Sequence, residues 1–230
     1  MVPVGHYVRA HAYVIDKKRN TTMTTLLHIS ASPRGTKSES LALAQVFLDT
    51  YAEQNPDVTI EEWDLWDGSV PEFGTAAAEG KMNTFAGIDL EGPSVAAWRQ
   101  VTATFERFAA ADLYLFSVPM WNASVPYKLK QLIDVVSQPG LVFSFDPVEG
   151  YTGLLTGRKA AVLYTAAIYG PGRTPAFGAD FQAPFFRDWL EWAGVTDVSE
   201  VAFRPNIATP DADALREIAR HETRQLAKTF

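Results

Sequence analysis

Five short apolar runs, each separated from the next by a longer segment, constrain the fold of this chain more than any other feature of its sequence. The runs occupy residues 24–30, 58–63, 112–118, 159–165 and 198–203. Runs of this length with helix-patterned segments between them are typical of β-strands that alternate with α-helices. Such alternation predicts an α/β fold with a doubly wound, five-stranded parallel sheet and helices on both faces.

The segments between the apolar runs carry apolar residues at helical spacing. In the first segment, Leu41, Ala44 and Leu48 follow the 3.6-residue period of a helix. The predicted helices occupy residues 40–54, 93–108, 125–137, 181–193 and 211–228. Residues 64–92 are rich in Gly, Asp and Ala and only weakly periodic, which predicts either a functional loop or a short helix there.

Composition argues against several kinds of site and partner. The net charge of −7 is unlike that of nucleic-acid binders, which need clustered Lys and Arg. The absence of cysteine excludes disulfides, thiolate chemistry and cysteine-based metal sites, and the four histidines lack metal-ligand spacing. No apolar run approaches the ~20 residues that span a bilayer. We therefore expect no metal, nucleic-acid or membrane partner, a reducing, cytoplasmic location, and a structural role for His28 in the core or at a strand end.

Residues 1–22 differ from the rest of the chain. Lys17, Lys18 and Arg19 follow a weak apolar stretch instead of preceding it, which is the wrong order for a signal peptide. We expect residues 1–22 to form a loosely ordered extension, or the natural chain to begin at Met23. Residues 23–230 are predicted to form one domain.

The first loop, residues 30–40 (SASPRGTKSES), joins a predicted strand to a predicted helix and is crowded with hydroxyl groups. A helix start offers unpaired N–H groups and a positive dipole end, so this loop is a candidate cradle for a phosphate. The alternative is that Ser38 and Ser40 merely cap the helix. The loop lacks the glycine patterns of dinucleotide and nucleoside-triphosphate loops. A phosphomonoester on a doubly wound sheet therefore suggests FMN.

Two further loops follow predicted strands. The second loop, residues 119–126 (PMWNASVP), is either a flat aromatic wall for an isoalloxazine ring or a Pro-rich turn whose Met and Trp belong to the core. The third loop, residues 165–178, begins with small residues that let the backbone approach a ligand, or is an ordinary surface loop. All three loops leave the carboxyl ends of strands, so we expect them to share one edge of the sheet.

The order and spacing of these segments resemble the FMN-dependent NADH-azoreductase family, also described as FMN-dependent NADH:quinone oxidoreductases, whose fold is flavodoxin-like. The resemblance covers about residues 24–228. Its supporting motifs are Ser32-Pro33-Arg34, Ser38-Glu39-Ser40, Pro119-Met120-Trp121-Asn122, Leu129-Lys130, Ile133-Asp134, Gly140, Val142-Phe143-Ser144-Phe145, Gly150, Gly153-Leu154-Leu155 and Gly157-Arg158-Lys159-Ala160.

The resemblance implies a set of site residues. Phosphate contacts would fall on Ser32, Ser38 and Ser40, with Glu39 between the last two. Ring contacts would fall on Pro119, Met120, Trp121, Asn122, Ala123, Thr165, Ala166, Ala167 and Tyr169. Substrate contacts would fall on Phe145 and Trp189. No catalytic side chain is implied, because the flavin N5 carries the hydride.

Two residues and one segment depart from the family pattern. Trp121 stands where the family usually has Tyr, and Ala123 stands where it often has Phe. Residues 165–169 (TAAIY) stand where the family usually has Ser with glycines. The extra methyl groups are expected to narrow the ring pocket or shift the ring.

The resemblance also implies the reaction: NADH or NADPH reduces FMN, and the reduced cofactor then passes two electrons to a quinone or azo compound. It further implies a homodimer with each flavin near the interface. Arg34, Lys128 and Arg173 are either contacts for the nicotinamide cofactor's phosphates or solvated surface charges. The rival interpretations are a non-catalytic, flavodoxin-type electron carrier and a flavin-free nucleotide-binding or regulatory module.

Overall fold

A computed structural model describes residues 23–230 and arranges them around a five-stranded sheet. The strand order is β2-β1-β3-β6-β7, and every neighbouring pair is parallel. The strands are β1 (Thr25–Ser30), β2 (Thr59–Asp64), β3 (Leu113–Pro119), β4 (Phe143–Asp146), β5 (Gly150–Gly153), β6 (Lys159–Thr165) and β7 (Asp197–Phe203), of which β4 and β5 form a separate antiparallel hairpin. The predicted five-stranded parallel sheet is confirmed.

Helices cover both faces of the sheet, as predicted. They are α1 (Glu39–Gln54), α2 (Thr75–Ala86), α3 (Pro93–Ala109), α4 (Tyr127–Val136), α5 (Ala183–Ala193) and α6 (Ala212–Thr229). On one face, Phe47 of α1 and Ala219 of α6 belong to the same buried apolar cluster. On the other face, Phe105 of α3, Leu132 of α4 and Phe186 of α5 belong to a second cluster.

The central strands are apolar along their whole length because both of their faces are buried. In β6, Ala160, Val162 and Tyr164 point into the cluster formed with α3, α4 and α5. Ala161 and Leu163 alternate with them and point into the cluster formed with α1 and α6. The strand thus fills two cores, which explains why its sequence reads as a continuous apolar run.

The strand order reverses beside β1, which creates a crevice at the carboxyl ends of β1 and β3. The first and second loops leave these two strands, and the third loop leaves β6. Backbone hydrogen bonds join the loop starts: Ala31 N donates to Ser117 O at 3.0 Å, and Met120 N donates to Thr165 O at 2.7 Å. The three loops therefore share one edge of the sheet.

Two elements of the structure, α2 and the β4–β5 hairpin, lie outside the five strands and five helices predicted from the sequence. Residues 64–92 contain a twelve-residue helix, α2, so the short-helix alternative holds. Only Ala77 and Gly80 of α2 are buried, so its apolar stripe is too narrow to produce a clear helical period. The β4–β5 hairpin has four-residue strands, which are too short for a reliable alternation.

The expectations for residues 1–22 lie outside the described residues. Within residues 23–230, no helix is both long and apolar enough to cross a membrane. The same residues hold no group of three or more His, Asp or Glu side chains that could bind a metal ion.

Candidate functional site

The first loop places a buried pair of hydroxyl groups at the start of α1. Ser38 is the N-cap residue, and its Oγ accepts a hydrogen bond from Leu41 N at 3.3 Å. Ser38 Oγ and Ser40 Oγ lie 3.1 Å apart, within hydrogen-bond distance. Ser32 is buried as well, and its Oγ is 3.5 Å from Arg34 N. The helix cap and the hydroxyl cradle are thus the same group of atoms, at the end of α1 that favours an anion.

Glu39, the first residue of α1, makes an ion pair with Arg216 of α6. The Arg216 Nε lies 3.2 Å from both carboxylate oxygens, and Nη2 donates to Oε1 at 3.0 Å. The hydrogen bond with Glu39 raises the pKa of the Arg216 guanidinium. The Glu39 side chain is therefore committed to α6. Sequence analysis missed Arg216 because 177 positions separate it from Glu39.

The second loop contains a tight turn with strained backbone. Trp121 N donates to Ser124 O at 2.8 Å, and Ser124 N donates to Trp121 O at 2.9 Å. The two central residues, Asn122 and Ala123, have φ of 49° and 66°. Positive φ at both central positions is typical of a type I′ turn, which Asn tolerates better than Ala. Strain of this kind often accompanies a functional site.

An aromatic cluster joins the first and second loops. The ring centroids of Trp66 and Trp121 lie 5.5 Å apart, and Tyr127 lies 5.2 Å from Trp66. Trp66 Nε1 donates to Ala31 O at 3.1 Å, which connects the cluster to the first loop. Sequence analysis missed Trp66. Its place just after β2, at the same sheet edge as the three loops, is the signal that could have found it.

The second and third loops enclose a cavity of about 210 Å³, called the ring cavity below. It is lined by Met120, Asn122, Ala123, Ala166, Ala167, Ile168, Tyr169, Phe177, Gly178 and Ala179. Six of the predicted ring contacts are in this lining. The other three, Pro119, Trp121 and Thr165, belong to the same two loops but are not part of the cavity lining.

Ala166, Ala167 and Ile168, which belong to the segment expected to depart from the family pattern, line the ring cavity. None of these three residues has a positive φ, so the backbone of this segment does not require glycine. The side chains of these three residues therefore contribute to the surface of the ring cavity.

A nearly buried ion pair supports the far wall of the ring cavity. Arg204, at the end of β7, donates from Nη1 to Asp180 Oδ2 at 2.7 Å, with side chains 9% and 17% exposed. Its guanidinium lies 5.5 Å from the Tyr164 ring and 5.4 Å from the Tyr169 ring. Asp180 Oδ1 also accepts from Gln182 N and Ala183 N at 3.0 Å each. Arg204 therefore connects β7, the cavity residue Tyr169 and the start of α5.

Comparison with known proteins assigns the chain to a family. The family model described as a flavodoxin-like fold matches residues 24–226. The chain belongs to this family. An FMN-dependent NADH:quinone oxidoreductase of Ruegeria pomeroyi is 42% identical over 193 residues, which cover 84% of this chain and 94% of the relative. A protein of the same name from Nitratidesulfovibrio vulgaris (strain DP4) is 40% identical and covers 90% of this chain and 100% of the relative.

Solved structures agree with this assignment. The azoreductase from Bacillus anthracis str. Sterne superimposes with a TM-score of 0.83 at 26% sequence identity. The match covers 90% of this chain and all of that structure. The flavodoxin-like family and its doubly wound sheet, both anticipated from the motifs, are therefore confirmed.

Two of the cations that sequence analysis offered for nicotinamide phosphates have partners within the protein. Arg173 donates from Nη1 to Ile168 O at 3.1 Å and from Nη2 to Ala208 O, so it braces the third loop. Lys128 Nζ donates to Gln131 Oε1 at 3.1 Å. Arg34 is an exposed residue of the first loop.

The two predicted substrate contacts have different surroundings. Trp189 is 6% exposed, stacks on Phe186 at 5.6 Å, and donates from Nε1 to Ser137 Oγ at 2.9 Å. Trp189 lies on the inward face of α5 and belongs to the buried core cluster, and its substrate contact stays a prediction. Phe145, on the β4–β5 hairpin, is 48% exposed and 5.0 Å from the Tyr151 ring, so its substrate contact stays a prediction.

His28 has the structural role that sequence analysis expected. It is buried in β1 and hydrogen-bonded through Nε2 to Ser117 Oγ at 2.8 Å. Burial lowers the pKa of His28 to about 4. The imidazole is therefore neutral at physiological pH and supports the strands from which the first and second loops emerge.

Proposed function

We propose that this chain is an FMN-dependent oxidoreductase that uses NADH or NADPH to reduce quinones, azo compounds or both. The observation that carries the proposal is the joint position of the hydroxyl cradle and the ring cavity at one sheet edge. A single phosphate suits the cradle, and a flat heterocycle suits the aromatic and methyl surfaces beside it. The names of the relatives and of the solved azoreductase support the same function.

Bound FMN supplies the redox chemistry, which is hydride uptake from the nicotinamide and two-electron transfer to the acceptor. The protein would bind the cofactor and orient it. The start of α1 and Ser38 would hold the phosphate, and the amide of Asn122 would hydrogen-bond a polar ring edge. Ile168, Tyr169 and Phe177 would exclude water from the ring. No carboxylate, imidazole or amine belongs to the described lining of the ring cavity, which suits a reaction without an acid–base side chain.

We also propose that the enzyme is a homodimer. Several large apolar side chains are exposed, and they include Phe145, Tyr151 and Phe181, with exposures of 48%, 59% and 64%. A second copy would cover these side chains and so remove apolar surface from water. Analytical ultracentrifugation tests this proposal, and a monomer at micromolar concentration would contradict it.

The expected setting follows from the chemistry. NADH is a cytoplasmic reductant, so we propose that the enzyme acts in the cytoplasm on small-molecule acceptors. The net charge of −7 supports the absence of a nucleic-acid partner.

Stopped-flow mixing of the FMN-loaded protein with NADH, under anaerobic conditions, tests the function. We expect the flavin absorbance to bleach and then to recover when a quinone or azo dye is added. Failure to bleach would favour a non-catalytic carrier. Failure to bind FMN would favour a flavin-free module. Turnover with a panel of acceptors, and with both nicotinamides, then defines the substrates.

A further inference from the structure

The cradle at the start of α1 contains a charge of the wrong sign for a phosphate. Glu39 lies between Ser38 and Ser40, the two residues whose hydroxyl groups form the cradle. A carboxylate in the first turn is stabilised by the helix dipole. The same dipole is what favours a phosphate there, so the two anions would compete and repel each other.

The Glu39 carboxylate is compensated from another helix. Arg216 reaches it from α6 with three contacts between 3.0 and 3.2 Å. The two side chains are only 26% and 28% exposed, so water and salt screen the pair less than they would an open surface pair. The guanidinium also lies 5.4 Å from the Phe203 ring. These contacts fix the positive charge beside the start of α1.

Arg216 has a second acidic partner. Asp213 also accepts a hydrogen bond from Arg216, but its side chain is 97% exposed and therefore well screened. Removal of Arg216 would leave the Glu39 charge uncompensated next to the cradle.

We propose that Arg216 is a positioning residue that, by neutralising Glu39, allows the start of α1 to accept a dianionic phosphate. The inference rests on the proposed function, since it assigns the FMN phosphate to this cradle. Its consequence is selectivity: Arg216 distinguishes FMN from riboflavin, which has the same ring and no phosphate.

Fluorescence titration of the apoprotein with FMN and with riboflavin tests the inference. We expect Arg216→Gln to weaken FMN binding about tenfold, because one unit charge is uncovered near the phosphate, and to change riboflavin binding less than about twofold. Adding Glu39→Gln to this variant should restore FMN affinity to within about threefold of the wild-type value. Arg220→Gln is the matched control, since Arg220 pairs with Glu217 on the same helix, and should change neither affinity.

A second variant keeps the test valid if Arg216→Gln folds poorly. Glu39→Gln alone removes the carboxylate beside the cradle and retains Arg216, whose remaining partner Asp213 is 97% exposed, so FMN binding should tighten while riboflavin binding stays constant. The inference would be overturned if Arg216→Gln lost the same affinity for FMN and for riboflavin, or if Glu39→Gln did not restore FMN affinity. Arg216 would then have only a packing role. Wild-type protein that binds no FMN would overturn the proposed function as well.

Discussion

The phosphate end and the ring end of the candidate site are held by different kinds of interaction. The phosphate end, residues 32–40, is organised by short-range bonds among its own residues and by the cap of α1. The ring end, which is the ring cavity, depends on a strained turn, on Arg173 within the third loop, and on Arg204, which follows β7. The hydroxyl groups and the cap of the first end can be recognised from a short stretch of sequence, whereas its ion pair with Arg216 and the whole ring end depend on the assembled fold.

The largest expected effect is at the ring end. Arg204→Ala would leave Asp180 nearly buried without its partner, which should destabilise the protein by about 3–5 kcal/mol. Urea unfolding measures this change. Lys130→Ala is the control, because the side chains of its pair with Asp134 are 48% and 49% exposed and the pair should contribute less than about 1 kcal/mol. Equal effects of the two substitutions would mean that the ring end has no special dependence on Arg204.

The next effect concerns the strands beneath the phosphate end and depends on pH. Burial lowers the pKa of His28 in the folded protein from 6.5 to about 4, so between these values the unfolded chain binds a proton that the folded protein does not. The free energy of unfolding should therefore have its full value above pH 6.5 and should fall by about 3 kcal/mol as the pH drops towards 4. Unfolding free energies measured across this range should decline more shallowly in His28→Asn. Parallel pH profiles for the two proteins would contradict the prediction.

The cradle itself should govern ligand retention more than stability. Ser38→Ala with Ser40→Ala removes the cap of α1 at a cost of about 1–2 kcal/mol and should weaken FMN binding at least tenfold. Equilibrium titration and thermal melting measure the two effects. Thr102→Ala, which removes an exposed hydroxyl from α3, serves as the control. If the double variant bound FMN as tightly as the wild type, the hydroxyl groups of Ser38 and Ser40 would not contribute to phosphate binding.

The smallest effect is expected at the strained turn and has the opposite sign. Ala123 has a φ of 66°, where glycine is favoured, so Ala123→Gly should stabilise the protein by about 0.5–1 kcal/mol. Asn122→Gly should gain less, since Asn tolerates this conformation. Differential scanning calorimetry resolves the order of the two variants. A lower melting temperature for Ala123→Gly would show that the Ala123 methyl contributes more by contact than it costs in strain.

The sequence predicted features whose cause is local. The bounds expected for the fourth strand, 159–165, coincide with β6, because both faces of that strand are buried and its residues are therefore mostly apolar. The cap at Ser38 was likewise readable from the loop. The ion pair between Glu39 and Arg216 and the link from Trp66 to Ala31 were not readable, because each joins residues far apart in the chain. The burial of Trp189 was not readable either, because an aromatic residue on a helix has the same local pattern whether it faces the core or a ligand.

The aromatic cluster of Trp66, Trp121 and Tyr127 gives the protein a built-in optical probe. Two of its six tryptophans lie 5.5 Å apart where the first and second loops meet. Their emission depends on the polarity and on the absorbing groups around them. A flavin placed against the second loop would absorb that emission. Occupancy of the site can therefore be followed in the unlabelled protein by its own ultraviolet fluorescence.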